Sequence, residues 1–295
     1  PRSAMDPIDA IILDLDGGAM LDALLASIAA QTRPFRRVII WDNGSTVPSA
    51  SRIAHPSLPI RIHRSETNLG FSGGINHAMH LTDAPFVAWI NSDVRLEPEW
   101  TARLLEAVAD GGVAAAQAIN VTDDGVVDGA GINIDDGTYR QEGRGLSVGE
   151  VARRAREPWG ISATAALYRA RALRDVAYGP FVLHPDFVLY YEDVELSARL
   201  RDGGWRLELV RAPLARHGGS KSARLEPRAD RMRVRNRYWV HRLHPDVGRR
   251  SALVAEDVGR MARAALRLRF AEAALIGKAM REGMRTPLSP EGRFV

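Results

Sequence analysis

Val38-Ile39-Ile40-Trp41-Asp42-Asn43-Gly44-Ser45 sets four apolar residues before a carboxylate and a glycine turn. The arrangement returns in Phe86-Val87-Ala88-Trp89-Ile90, which runs into Asn91-Ser92-Asp93. In an open α/β sheet the residues after such a run stand at the carboxyl end of a strand, where ligands bind. Working outward, Ala10 to Leu13 and Pro59 to His63 read as further strands. Met20 to Gln31 carries Leu21, Leu24, Leu25 and Ile28 at the spacing of one helix face. Gly74 to Leu81 and Glu97 to Ala109 read as helices, with Pro98 in the first turn of the second. Such alternation predicts an α/β fold: a mostly parallel sheet with helices on both faces.

After Gly111 the pattern changes. Val113 to Asn120 and Ile161 to Arg169 read as strands, and the Gly- and Asp-rich segment from Asp123 to Gly149 as turns and short antiparallel strands. Val194 to Asp202 reads as a helix and Trp205 to Val210 as a last strand. Beyond Ser220 the chain is arginine-rich and helical. The expected organisation is a catalytic unit over 5–220, with a nucleotide half over about 5–110 and an acceptor half over about 111–220. A basic helical extension over 221–295 follows.

The 295 residues suffice for a large core, and 45% hydrophobic with 26% charged content is ordinary for a globular chain. With no cysteine there is no disulfide, thiolate metal site or cysteine nucleophile. No apolar stretch reaches the roughly 18 residues of a membrane span, and no signal peptide is visible. Pro1-Arg2-Ser3-Ala4 before Met5 reads as a cloning scar. The expected location is cytoplasmic, with peripheral attachment to the inner face of the cell membrane an open expectation. The net charge of +4 is uneven, since residues 249–295 hold ten Lys/Arg against five Asp/Glu. Arg260, Arg263, Arg267 and Arg269 accompany apolar residues at helical spacing, a pattern suited to an anionic membrane surface or to a packed appendage with a solvated basic face.

Each motif admits two readings. Asp42-Asn43-Gly44-Ser45 could meet a nucleotide base or simply cap a turn. Asn68-Leu69-Gly70-Phe71-Ser72-Gly73-Gly74-Ile75-Asn76 could hold a diphosphate on free N–H groups at a helix start, or pack a helix on the sheet. Asp93 suits a divalent cation shared with phosphates, or a cap. Tyr190-Tyr191-Glu192-Asp193-Val194-Glu195 places carboxylates at a helix start, where the dipole favours their ionised form for a general base, or where they merely cap.

Taken in order, these segments resemble family 2 inverting glycosyltransferases of the GT-A fold, including bacterial rhamnosyl- and galactofuranosyltransferases. The likeness runs from about Ile11 to Ser220. It implies a GT-A, Rossmann-like sheet and transfer of a sugar from a dTDP- or UDP-linked donor to a hydroxyl of a glycan or lipid-linked acceptor in bacterial cell-surface polysaccharide synthesis. By position it makes Asp42 a base contact, Asp93 and His217 ligands of a divalent cation (Mg or Mn), Asp193 the catalytic base, and Glu192 a residue that orients the acceptor or supports Asp193. Asn68 and Gly74 would shape the donor pocket. Asn43, Gly70, Phe71, Asn76, Asn91 and Trp159 join the candidate substrate contacts. Two segments depart from the family: Asp14-Leu15-Asp16 replaces the usual Thr-Tyr-Asn, and Phe181 to Asp186 replaces Gly-Phe-Asp-Glu. A sugar-phosphate nucleotidyltransferase is the first rival, although its glycine-rich loop with Arg is missing. A basic nucleic-acid binder is the second, but no aromatic platform accompanies the charge, so no nucleic-acid partner is expected.

Overall fold

The computed structural model describes residues 6–53, 57–154, 156–218 and 226–288. The first half runs β1 (Ile8–Asp14), α1 (Ala19–Ala29), β2 (Arg37–Asp42), β3 (Ile60–Arg64), α2 (Gly70–Met79), β4 (Phe86–Asn91), β5 (Val94–Leu96) and α3 (Trp100–Ala107). The second continues with β6 (Val113–Val121), β7 (Val127–Gly129), β8 (Ile132–Asp135), β9 (Thr138–Gln141), α4 (Val148–Arg153), β10 (Ala165–Arg169), α5 (Ala170–Asp175), α6 (Glu192–Asp202) and β11 (Arg206–His217). Three helices follow: α7 (Glu226–Leu243), α8 (Arg250–Leu266) and α9 (Phe270–Arg285).

The main sheet has the order β3-β2-β1-β4-β10-β6-β11-β5, with β7 beside β6. It is parallel from β3 to β4 and again between β6 and β11, while β10 lies antiparallel between β4 and β6. Strand alternation divides the core into two layers. Ile8, Ala10 and Ile12 face Leu21, Leu24, Trp100 and Leu104 of α1 and α3. Ile11, Ile39 and Trp89 face Ile75 of α2 and Leu196 and Leu200 of α6. Continuous apolar runs are what strands buried on both faces need. The chain leaves β1 toward β2 on one side and later returns to β4 on the other. Leu13 and Asn91 lie side by side at that switch point, where a doubly wound sheet opens a crevice.

Several boundaries differ from the sequence expectation. Helix α2 begins at Gly70 rather than Gly74, because Gly70, at φ 73°, turns the chain directly into it. Helix α3 starts at Trp100, leaving Pro98 before the cap Glu99. Strand β10 starts at Ala165, the residues before it forming a turn. The largest change is β11, which has 12 residues and ends at His217. An irregularity between Val210 and Ala215 lets its second half pair with the short β5, placing His217 opposite Val94. The boundary expected near residue 220 lies outside the described residues.

Helix α6 is fixed by a buried network. Glu195 accepts from Arg199 Nη2 at 2.8 Å and from the Tyr178 hydroxyl at 2.8 Å. Burial would raise this carboxyl, yet Arg199 and His244 hold it down at about 2. A charge this deep persists only when paired. The network ties α6, and with it Glu192 and Asp193, to the segment 176–182 after α5 and to His244 just beyond α7.

Candidate active site

Two adjoining cavities open at the carboxyl ends of the strands. The first, about 440 Å³, lies at the switch point and is lined by Leu13, Leu15 and Asp16 after β1 and by Asn91, Ser92 and Asp93 after β4. The second, about 460 Å³, is lined by Asp128, Ser162, Glu192, Asp193 and His217. Phe71, Asn91 and Leu189 line both, forming the partition.

Asp93 stands in the first cavity and His217 in the second, with Oδ2 and Nε2 3.3 Å apart. Nε2 is buried and makes no hydrogen bond, whereas Nδ1 lies 2.9 Å from Asp128 Oδ2. Asp128 also accepts from Arg144 at 2.7 Å. Nδ1 thus faces Asp128 and Nε2 faces the Asp93 carboxylate. Burial alone would lower the His217 imidazole, but its two carboxylate neighbours raise it to about 9. The pocket therefore favours positive charge at that point. Among the described residues no group of three or more His, Asp or Glu is set to hold a metal. Two protein ligands still suit a hard cation whose remaining sites go to phosphate and water. An imidazole nitrogen 3.3 Å from a carboxylate fits such an ion, which would take the place of the ring proton between them.

Asp193 and Glu192 open α6 beside β10. Tyr190 and Tyr191 before them both have φ 69°, a left-handed conformation that bulky residues rarely adopt. This strain turns two adjacent carboxylates into the second cavity. The expectation that the helix dipole keeps both ionised does not hold, because burial outweighs it. Asp193 is pushed up to about 6, its charged form still supported by the N–H of Val194 at 2.8 Å and of Ala163 at 3.4 Å. Glu192 is raised well above the usual carboxylate range by burial and by Asp193, and its Oε2 has no hydrogen-bond partner. Of the two, Asp193 is the group that becomes a carboxylate near neutral pH.

The glycine segment is built differently from the diphosphate cradle read in the sequence. The Leu69 N–H donates to Asn43 Oδ1 at 3.0 Å and that of Gly70 to Asn68 Oδ1 at 2.8 Å. Those of Phe71 and Ser72 go to the Val188 carbonyl at 2.7 and 3.3 Å. The first N–H groups of α2 are therefore already satisfied. A side chain at Gly70 would come within 2.4 Å of that carbonyl, so the close approach requires glycine. Asn43 and Asn68, joined at 3.1 Å, shape one wall of the first cavity. Gly74 instead packs against Leu13 and Trp41, and Asn76 clamps the Leu183 backbone at 2.8 and 2.9 Å. Neither lines a cavity, and Trp159 lines neither either, its N–H bonding Asn133.

Asp42 is also engaged internally. Only 1% exposed, it accepts from Ser45 N and Ser49 N at 2.8 Å each and from Arg64 Nη1 at 2.6 Å. Burial would raise its carboxyl, but these donors bring it down to about 2. The turn-capping reading is the one its geometry fits, and it lines neither cavity. A depressed folded pKa stabilises above the unfolded value near 4 and ceases to do so as pH falls through about 2. The Asp42→Asn protein is expected to be less stable than wild type by about 2 kcal/mol at neutral pH. That gap should close between about pH 4 and 2 in urea unfolding series; a gap independent of pH would reject the role.

Sequence reading missed Asp128. Its only trace was the Gly- and Asp-rich segment, where Val127-Asp128-Gly129 resembles any turn. Leu15 and Met20 were also missed, and they give the first cavity an apolar side where the family pattern expects an aromatic residue.

The fold is that of a glycosyltransferase of GT-A type. The family model described as Glycosyl transferase family 2 matches residues 16–177, and the chain belongs to that family. A comparison with curated proteins finds no match. Among solved structures, the mannosyltransferase PcManGT from Pyrobaculum calidifontis in complex with GDP-Man and Mn2+ is similar at TM-score 0.61 and 14% identity, over 94% of this chain and 87% of that one. GalNAc-T7 with UDP, GalNAc and Mn2+ is similar at 0.59 and 12%, over 72% of this chain and 43% of that one. S. aureus TarS is similar at 0.55 and 16%, over 85% and 42%. The chain thus spans under half the length of the last two. At these identities the likeness is one of fold.

Proposed function

We propose that the protein is an inverting, cation-dependent glycosyltransferase. It takes a dTDP- or UDP-linked sugar and passes it to a hydroxyl of a glycan or lipid-linked acceptor in bacterial cell-surface polysaccharide synthesis. The observation that carries this reading is the meeting of two cavities at Asp93 and His217, with Asp193 facing the second. The donor nucleotide lies in the first, its base against Leu15 and Met20. The acceptor lies in the second. Asp93 and His217 would hold a divalent cation, Mg or Mn, whose positive charge would stabilise the leaving diphosphate. Asp193 takes the proton of the acceptor hydroxyl as that oxygen attacks the anomeric carbon from the face opposite the nucleotide. Glu192, protonated, adds no second negative charge and is placed to donate to acceptor oxygen. Asp128 holds the His217 tautomer. The basic C-terminal helices set the enzyme on an anionic membrane surface, where a lipid-linked acceptor is presented.

Thermal-shift titration of dTDP- and UDP-sugars, with Mn2+, Mg2+ or EDTA, tests the donor and the cation together. A nucleotide sugar at 100 times its Kd adds about 2.7 kcal/mol to stability, a readily measured rise in Tm. The rise should vanish in EDTA. No rise with any nucleotide sugar, or a rise indifferent to EDTA, counts against the reading.

A further inference from the structure

The sequence offers the apolar faces of the C-terminal helices to a membrane, but the structure buries them. Leu253 of α8 and Ile276, Ala279 and Met280 of α9 join Phe187 and Tyr238 in one core cluster. Three arginines of α7 are likewise engaged: Arg231 pairs with Glu282 at 2.6 Å, Arg233 with Asp230 at 3.0 Å, and Arg237 with the buried Asp257.

What remains outside is the turn between α8 and α9, Leu266-Arg267-Leu268-Arg269-Phe270. Leu266, Leu268 and Phe270 are 84, 77 and 63% exposed, the three most exposed large apolar side chains among the described residues. Leu268 holds φ 59°, where turns ordinarily carry Gly or Asn. The hairpin is fastened at its other end, where the Arg249 N–H bonds the Gly137 carbonyl at 2.8 Å and Glu282 holds Arg231. Asp257, which also accepts from the Tyr238 hydroxyl at 2.8 Å, is a buried charged anchor of α8, and Ala264 is the last buried residue of that helix. At about 1.5 Å per residue, Leu266 lies about 3 Å along the axis beyond Ala264, so exposure begins at the turn itself. Residues 260–281 hold six Lys/Arg and one acidic residue, Glu272.

We propose that this turn is a membrane-insertion tip. Leu266, Leu268 and Phe270 enter the interface of an anionic bilayer, while Arg263, Arg267 and Arg269 meet lipid phosphates. The inference rests on the reading that the C-terminal helices face a membrane, and it names the element that makes contact. Contiguous exposed apolar groups call for a partner, and the surrounding arginines select an anionic one. A stable protein interface needs about 800 Å² from each side, more than five residues on a protruding turn supply. A bilayer needs only shallow entry of about 5–10 Å.

The test uses the full chain and vesicles of phosphatidylglycerol with phosphatidylcholine, against phosphatidylcholine alone. Wild type should sediment with the anionic vesicles. The Leu266→Ser, Leu268→Asn, Phe270→Ser protein should bind at least about tenfold more weakly, with its Tm and nucleotide affinity unchanged. Because the chain has no cysteine, Leu266→Cys carries a single environment-sensitive fluorophore, whose emission should shift to the blue on anionic vesicles only. If wild type binds neither vesicle, the membrane reading itself fails. If wild type and triple variant bind equally, or the fluorophore does not shift, the helices face lipid but the tip assignment is overturned. Concentration-dependent dimerisation in the absence of lipid, abolished in the triple variant, would overturn the assignment in favour of a second copy.

Discussion

Asp193→Asn is expected to lower kcat by about 10²- to 10⁴-fold, the range that general base catalysis contributes, while leaving the affinity for nucleotide sugar unchanged. Asparagine preserves size and can still accept from the Val194 N–H, so loss of activity with normal Tm isolates the proton transfer. The pH dependence follows from burial. A base must be deprotonated, and Asp193 is pushed up to about 6. The rate should therefore fall as pH drops through about 6, well above the usual aspartate range, and level off above it. Glu192 is raised well above the usual carboxylate range by burial and by Asp193, which favours its neutral form. Glu192→Gln, which mimics that neutral form, should retain most of kcat and alter acceptor KM. Retained transfer in Asp193→Asn with a dead Glu192→Gln would reverse the two roles. If both stay active the base lies elsewhere, and Asp16, in the first cavity, is the next carboxylate to test.

The second large effect concerns the cation. Asp93→Ala and His217→Ala each remove one of the two proposed protein ligands, and both should abolish Mn2+-dependent binding of UDP or dTDP, measured by calorimetry or by the Mn2+ paramagnetic signal. Asp128 acts through His217. Its 2.9 Å contact to Nδ1 fixes which nitrogen carries the proton, and loss of such a partner costs about 10- to 100-fold in metal affinity. Asp128→Asn should weaken Mn2+ binding by that factor, and Asp128→Glu should restore part of it. Nitrogen NMR of the His217 ring, recorded above about pH 9 where the ring is neutral, should show the proton on Nδ1 in wild type and a mixture of tautomers in Asp128→Asn. Unchanged Mn2+ affinity in Asp128→Asn would assign that residue to holding Arg144 alone. Unchanged nucleotide affinity in EDTA would remove the cation from the mechanism.

The paired faces of β1, β2 and β4 were legible because buried strands are written as uninterrupted apolar runs, and a carboxylate ending such a run has one place to be. The donor crevice followed from that, since the strand order alone puts Leu13 beside Asn91. Motif order identified the family for a related reason: each cluster sits at a strand end or a helix start that the local pattern predicts. Roles were less legible than positions. Asp42 and the N–H groups of α2 look available in sequence, yet Ser49, Arg64 and the Val188 carbonyl satisfy them. These partners come from elsewhere in the chain, and in the case of Val188 from more than a hundred residues away, so no local window contains them.

Two decisions belonged to the tertiary structure alone. The ionisation of Asp193 and Glu192 depends on how much water the second cavity admits, and burial reversed what the helix dipole predicts. The placement of His217 depends on β5, a three-residue strand too short to carry a pattern, and on the break within β11 that brings the two together. The same holds for the C-terminal helices, whose apolar stripes face inward because α7, α8 and α9 bury one another, leaving Leu266, Leu268 and Phe270 outside. Sequence fixes which surfaces are apolar and which groups are charged. What those surfaces meet, and how far a carboxyl lies from water, is settled only when distant segments close on each other, because desolvation and pairing are properties of the packed neighbourhood rather than of the residue.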